Sequence, residues 1–283
     1  MKRWWHPLAY GFSLLPTPFL HLLSSLTAWL LFYVVKYRRK VIEENIKRAF
    51  PKLTTGESLQ YTKHFYRNLT DVLFEFLKGQ SISEKELRQR VILNNFEIFE
   101  ELYQKDRGVM VVMGHYTNFE WVALAMPLLV PNPTFAVYGR IKNPETNEWV
   151  VKLRERFGLK LFSMKDTYKF MLNNSAKNPL YLFMADQAPH KGKIKYRAPF
   201  FNTPTPTHIG AENLAKMCNL SMIFIHVKRI KRGFYSITPE IIAENPNEYP
   251  NYQLTDMHVA ALEKLIKEEP ANWLWSHKRW KNL

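Results

Sequence analysis

The pattern of apolar and polar positions along this chain changes its rhythm twice. Positions 19–35 form an apolar run broken only by His21 and a few hydroxyls, with Pro16 and Pro18 ahead of it and Lys36, Arg38, Arg39 and Lys40 behind. Its 17 residues predict a helix of roughly 26 Å, slightly short of a hydrocarbon core of about 30 Å, so it either crosses a bilayer or lies partly inserted. A signal peptide would carry small residues for cleavage after its core, where this chain carries a basic cluster. A buried core helix would rarely sit between Lys2, Arg3, Trp4 and Trp5 on one side and four cations on the other. The cluster places the body on the cytoplasmic side by the bias of Lys and Arg in cytoplasmic flanks, against which Lys2 and Arg3 count.

Helical spacing follows: Val41, Ile42, Ile46 and Phe50 before Pro51, then Leu59, Phe65, Leu69, Val72, Leu73, Phe74 and Leu77 up to Gly79. After about position 105, short apolar runs alternate with helical stretches. Strands are predicted at 108–113, 134–138, 159–162, 180–185 and 222–228, with 234–238 folding back on the last around Arg232-Gly233. Helices are predicted at 119–129, 145–157, 167–172 and 208–217, and over 253–268 before Pro270. The fold class is α/β, a mainly parallel central sheet flanked by helices. The expected organisation is an anchor over 1–40 and one domain over 41–283, made of a helical lead-in (41–104) and an α/β core (105–283).

Charge narrows the partners. Forty Lys and Arg against 25 Asp and Glu give a net +15, a field that favours nucleic acid, an anionic bilayer, phosphorylated lipids or an acidic protein. No nucleic-acid-binding motif is present, so nucleic acid is not expected. Cys218 stands alone, which excludes an internal disulfide and a Cys-based zinc cluster. The 8 Trp, 14 Tyr and 19 Phe suit a protein that touches a membrane interface. There is no glycine-rich phosphate loop, no His-Glu-x-x-His and no Gly-x-Ser-x-Gly, so nucleotide, zinc-protease and serine-hydrolase chemistry are not indicated, and no metal or cofactor is expected.

The chemistry-bearing stretch is Val109-Met-Val-Val-Met-Gly-His115-Tyr-Thr-Asn-Phe-Glu120-Trp. A buried strand ends at Gly114, which puts His115 at the mouth of a strand-to-helix turn and Glu120 in the first helical turn beyond it. That spacing allows a carboxylate to hold one ring nitrogen while the other faces the cleft as a general base. A hydroxyl attacking a thioester needs such a base. The same spacing also fits a loop histidine followed by a helix N-terminal charge.

Further blocks follow in order. Met113-Gly-His115 to Glu120-Trp121, Val137-Tyr-Gly-Arg140-Ile-Lys-Asn-Pro144, Leu153-Arg154-Glu-Arg156-Phe-Gly158, Met184-Ala-Asp186-Gln187, Pro199-Phe-Phe-Asn-Thr-Pro-Thr-Pro-Thr207 and Trp273-Leu-Trp-Ser-His-Lys-Arg-Trp280 together resemble the lysophospholipid acyltransferase superfamily. The chain is similar in particular to the lipid A biosynthesis lauroyl/myristoyl (late) acyltransferases of Gram-negative bacteria, with Asn45, Ile46, Phe50 and Pro51 repeating a feature after the anchor. Asn202 departs from the glycine usual there, and either Arg154 or Arg156 fits the arginine block. The resemblance implies a glycerol-phosphate-acyltransferase-like fold and transfer of an acyl chain from acyl-ACP or acyl-CoA, as co-substrate, to a lipid hydroxyl. His115 would be the base and Glu120 its orienting group, with no acyl-enzyme. Lipid A precursor is the leading acceptor, with a lysophospholipid, a phosphatidylinositol mannoside or an aminolipid as alternatives; a basic membrane-surface binding protein is the alternative outside enzymes. Arg140, Arg154, Arg156, Asp186 and Gln187 would bind substrate, and Lys191 and Lys193 would dock an acyl carrier protein or lipid phosphates. The implied location is the bacterial inner membrane with the catalytic domain facing the cytoplasm, and the implied partners are the carrier protein, an anionic lipid acceptor and the membrane.

Overall fold

The computed structural model describes residues 5–283; Lys2, Arg3 and Trp4, counted above among the flanks of the apolar run, lie outside them. Helices α1 (Trp5–Ser13), α2 (Thr17–Trp29), α3 (Arg39–Ala49), α4 (Thr55–Lys78) and α5 (Glu84–Arg90) precede the first strand, β1 (Val91–Leu93). Then come α6 (Glu97–Gln104), β2 (Val109–Met113), α7 (Phe119–Leu129), β3 (Thr134–Tyr138), α8 (Pro144–Arg154), β4 (Lys160–Ser163), α9 (Thr167–Asn173) and β5 (Leu180–Met184). The hairpin β6 (Tyr196–Phe200) and β7 (Thr203–Thr207), α10 (Gly210–Met217), β8 (Ser221–Lys231), β9 (Phe234–Ala243) and α11 (Gln253–Glu268) complete the chain.

Seven strands form one sheet in the order β1-β9-β8-β2-β5-β3-β4. Every neighbouring pair is parallel except β8–β9, the hairpin around Arg232-Gly233. The α/β class with a mainly parallel sheet holds. β2 lies centrally and is buried at every position, the signature of a strand covered on both faces. β5 beside it and β3 beyond β5 run the same way, so the loops after β2, β3 and β5 leave from one edge, where sites in such sheets collect. The stretch 41–104 is not wholly helical: Val91–Leu93 forms the outermost strand, beside β9.

The apolar run is one continuous helix, Thr17–Val35, of which Leu30–Val35 is a π-helical turn. Its buried stripe, Leu20, His21, Ser24, Ala28 and Phe32, repeats at helical spacing, and buried side chains of α4 hold it. His21 Nε2 lies 2.7 Å from Glu75 Oε1, and Ser24 Oγ donates to Asp71 Oδ1 at 2.5 Å. Phe19, Leu22, Leu26, Trp29, Tyr33 and Val34 point outward, exposed.

Both ends of this helix are also fastened to the body. Lys78 Nζ donates to Ser13 O and Leu15 O at one end, and Arg38 Nη1 donates to Ser276 O at the other.

The β6–β7 hairpin explains the Asn202 departure. Its two-residue turn puts Phe201 and Asn202 at φ 48° and 55°, the left-handed region that Asn tolerates better than other non-glycine residues. The hairpin is clamped by the C-terminal segment: Arg279 donates to Pro206 O at 2.5 Å and to Thr207 Oγ1 at 3.1 Å, and Trp280 Nε1 donates to Thr205 Oγ1 at 3.0 Å.

Candidate active site

β2 delivers His115 to the sheet edge through Gly114. A Cβ on Gly114 would meet Leu262 Cδ1 of α11 at 2.6 Å and Asp186 Oδ2 at 3.4 Å. A side chain here would have to push the Leu262 tip aside, and without one the chain runs close enough to set His115 against the residue that follows β5. His115 Nδ1 lies 2.6 Å from Asp186 Oδ1, and the His115 backbone N–H donates to Asp186 Oδ2 at 2.9 Å. Trp273 Nε1 donates to the same Oδ2 at 2.9 Å. Because an ionised carboxylate only accepts, Nδ1 carries the ring proton and Nε2 is left with its lone pair. The only side-chain hydrogen-bond partner of Nε2 among the described residues is Gln187, whose amide nitrogen is 3.4 Å away.

The electrostatics follow from that contact. Burial opposes charge on both groups, and in both the ion pair outweighs it. The imidazole pKa is raised above its ordinary value, by the charge and hydrogen bond of Asp186 and more weakly by Glu120, with Arg154 opposing. The Asp186 carboxyl is held well below the usual carboxylate range by the charge and hydrogen bonds of His115 and by Trp273. The His115 side chain is 17% exposed against 3% for Asp186, so the ring is reachable while its partner is sealed.

Glu120 does not reach the imidazole. Arg154 of α8 takes both its oxygens, Nε to Oε2 at 2.9 Å and Nη2 to Oε1 at 2.6 Å. The cause is the start of α7. Thr117 adopts φ 48°, and Asn118 Oδ1 caps the helix on Trp121 N–H at 2.8 Å. Asn118 Nδ2 and Trp121 Nε1 both donate to Glu75, to its carboxylate at 2.6 Å and its carbonyl at 2.7 Å. Those bonds turn Trp121 inward, which leaves Glu120 facing α8.

A cleft of about 210 Å³ lies against the imidazole, lined by His115, Thr117, Phe119 and Glu120, by Phe65, Leu69, Val72, Leu73 and Phe76 of α4, and by 271–274. Most of that lining is apolar. Thr117 Oγ1, buried in the wall, has no hydrogen-bond partner.

His115, Glu120, Arg154, Asp186 and Gln187 thus converge. Arg156 does not: its Nη1 and Nη2 donate to the carbonyls of Gly79 and Ile82, where α4 ends. Arg140, Lys191 and Lys193 are exposed on the loops after β3 and β5, on the same sheet edge but outside the cleft. The roles of Trp273, Thr117 and Glu75 lay beyond sequence reasoning. A Trp inside a terminal motif was the one available signal, for Trp273.

The profile of the bacterial lipid A biosynthesis acyltransferase family matches residues 4–282. The chain belongs to this family. It is accordingly an acyltransferase, an enzyme of bacterial lipid A synthesis that acts in association with a membrane. Two curated relatives agree: the lipid A biosynthesis palmitoleoyltransferase of Escherichia coli (strain K12) and the lipid A biosynthesis acyltransferase of Shigella flexneri. Each is 25% identical over 279 residues, covering 94% of this chain and 86% of the relative.

Proposed function

We propose that the protein moves a fatty acyl chain from an acyl-ACP thioester to a hydroxyl of a lipid A precursor, with His115 as general base and Asp186, in place of Glu120, as the group that orients it. The observation that carries this reading is the 2.6 Å contact between His115 Nδ1 and Asp186 Oδ1, which leaves the Nε2 lone pair free in a ring that lines an apolar cleft. The acceptor hydroxyl gives its proton to Nε2 as its oxygen attacks the thioester carbonyl. The tetrahedral intermediate collapses with cleavage of the C–S bond, and the imidazolium returns the proton to the departing thiolate. Asp186 stabilises the imidazolium between those steps, as the carboxylate of a hydrolase triad does. The unpartnered hydroxyl of Thr117 in the cleft wall suits it to donate to the developing oxyanion. The Glu120–Arg154 pair holds the cleft wall between α7 and α8. The apolar lining contributed by α4 fits an acyl chain.

The same reading lays the helix Thr17–Val35 in the plane of the membrane surface. Its inner face is bonded to buried acids, both its ends are fixed to one body, and its outer face is apolar with Lys36, Arg38, Arg39 and Lys40 at its end. Helices of that build lie in the interface, their cations toward anionic headgroups. The body faces the cytoplasm because its donor is made there, not because a segment crosses.

Purified wild type should acylate a lipid A precursor from radiolabelled acyl-ACP. His115→Ala should abolish transfer while keeping the wild-type circular dichroism spectrum and vesicle binding, and Thr117→Val should lower kcat about 10²-fold. Full activity in the His115 variant would end the mechanism.

A further inference from the structure

A second cavity, about 490 Å³, opens beside the acyl cleft and shares Asn68, Ala271 and Asn272 with it as a common wall. Tyr61, His64 and Arg67 of α4, Arg229 and Arg232 of the β8–β9 hairpin, and Glu269 line the rest. Two of these cations are preset. Arg229 Nη2 donates to Asp71 Oδ2 at 2.5 Å, and its Nη1 to Asn68. Arg232 donates to Asp71 through Nε at 3.0 Å and Nη2 at 2.5 Å. One buried carboxylate therefore answers two guanidinium groups. Arg229 Nε and Arg232 Nη1 make no hydrogen bond among the described residues, and neither does the exposed Arg67 side chain. The single acid on the rim, Glu269, is occupied by Asn272 Nδ2 at 2.6 Å.

Rigid forked donors with unspent N–H groups and surplus positive charge match a phosphate, whose oxygens accept from several directions. Position says which phosphate. Arg232 Nη2 also donates to His21 O at 2.8 Å and Ser25 Oγ at 3.0 Å on α2, so the cavity flanks the helix that carries the exposed apolar face. Its wall is also the wall of the cleft holding His115. One lipid molecule can occupy both.

We infer that this cavity is a phosphate subsite for the acceptor lipid, with Arg67, Arg229 and Arg232 holding a phosphate monoester of its headgroup while a hydroxyl of the same molecule sits at His115. The inference rests on the lipid-acceptor reading above. It makes Arg67 a specificity determinant: Arg229 and Arg232 are fixed by Asp71, and Arg67 is the cation whose removal disturbs no internal pair.

The test uses the full chain in detergent micelles with acyl-ACP as donor, and as acceptors a bis-phosphorylated glucosamine-disaccharide lipid and its phosphatase-treated counterpart. Arg67→Ala should raise KM for the phosphorylated acceptor about tenfold, leave kcat and the donor KM near wild type, and erase the preference over the dephosphorylated acceptor. Arg67→Lys should recover part of it. An equal penalty on both acceptors, or none, overturns the subsite. Sedimentation with phosphatidylcholine vesicles containing phosphatidylglycerol separates the other source of phosphate. If Arg67→Ala loses vesicle binding yet keeps the acceptor preference, the cavity serves bulk headgroups and the acceptor assignment falls. A wild type that acylates neither lipid refutes the acyltransfer reading instead. Micelle binding of the phosphorylated lipid, weakened or not by Arg67→Ala, then still decides the subsite.

Discussion

Asp186 binds three donors at once, the ring and backbone of His115 and the indole of Trp273, and its charge governs how the imidazole titrates. With Asp186 ionised the imidazole pKa is raised, so the neutral, competent base accumulates only above the ordinary value of about 6.5. The acidic limb of kcat/KM against pH should fall above that value in wild type. Asp186→Asn removes the opposing charge, burial then dominates, and the limb should move to lower pH while kcat drops by about 10³-fold or more. An unmoved limb in a pH–rate profile of the variant would exclude Asp186 as the source of the shift. Stability carries both signs of the pair. The raised His115 contributes below its unfolded pKa and loses that contribution as pH rises through the folded one. The lowered Asp186 contributes above its unfolded pKa and loses that contribution as pH falls through the folded one. His115 was legible from its place at a strand end, whereas its partner was not. Glu120 lies five positions away along the chain and Asp186 seventy-one, and only the pairing of β2 with β5 brings the latter alongside. The helix cap at Asn118 then decides against Glu120, through bonds to Glu75 that no local spacing encodes.

Among the elements, strong periodicity predicts bounds nearly to the residue: Phe119–Leu129 and Gln253–Glu268 form as their apolar spacing predicts. The errors have physical causes. Val91–Leu93 is too short for alternation to register. In the β6–β7 ladder, Pro199 pairs with Pro204 and Pro206 stands in the opposite strand, positions where a sequence rule places turns and not strands; the ladder survives as an isolated pair clamped by Arg279 and Trp280. The helix Thr17–Val35 shows the limit of hydropathy, since its polar positions His21, Ser24 and Ser25 all face bonds to the body. Its exposed face gives a direct test. Replacing Leu22, Leu26 and Trp29 together by Gln should leave the thermal melt nearly unchanged, because these side chains touch solvent. On the interfacial reading of this face, three side chains worth about 1.5–3 kcal/mol each in lipid burial are lost, and the variant should be released from anionic vesicles in a flotation assay. A variant that still floats with the vesicles would show that another surface holds the membrane.

For the whole molecule, the parallel strands gather the loops after β2, β3 and β5 on one edge, so the exposed cations Arg140, Lys191 and Lys193 ring the edge that carries His115. An acidic carrier would meet that rim by long-range attraction, which salt screens over a Debye length of about 10 Å at 0.1 M. KM for acyl-ACP should therefore climb as ionic strength rises, and Lys191→Glu with Lys193→Glu should flatten the dependence; a salt-independent KM in wild type would remove the rim as the docking surface. The fastening of Thr17–Val35 at both ends has a consequence for how the protein meets lipid. Because Ser13 O, Leu15 O and the Arg38 guanidinium all bond to groups of the body, the Thr17–Val35 helix and the catalytic body are held as one unit, and a lipid surface that takes up the exposed apolar face also fixes the orientation of the cleft beside His115.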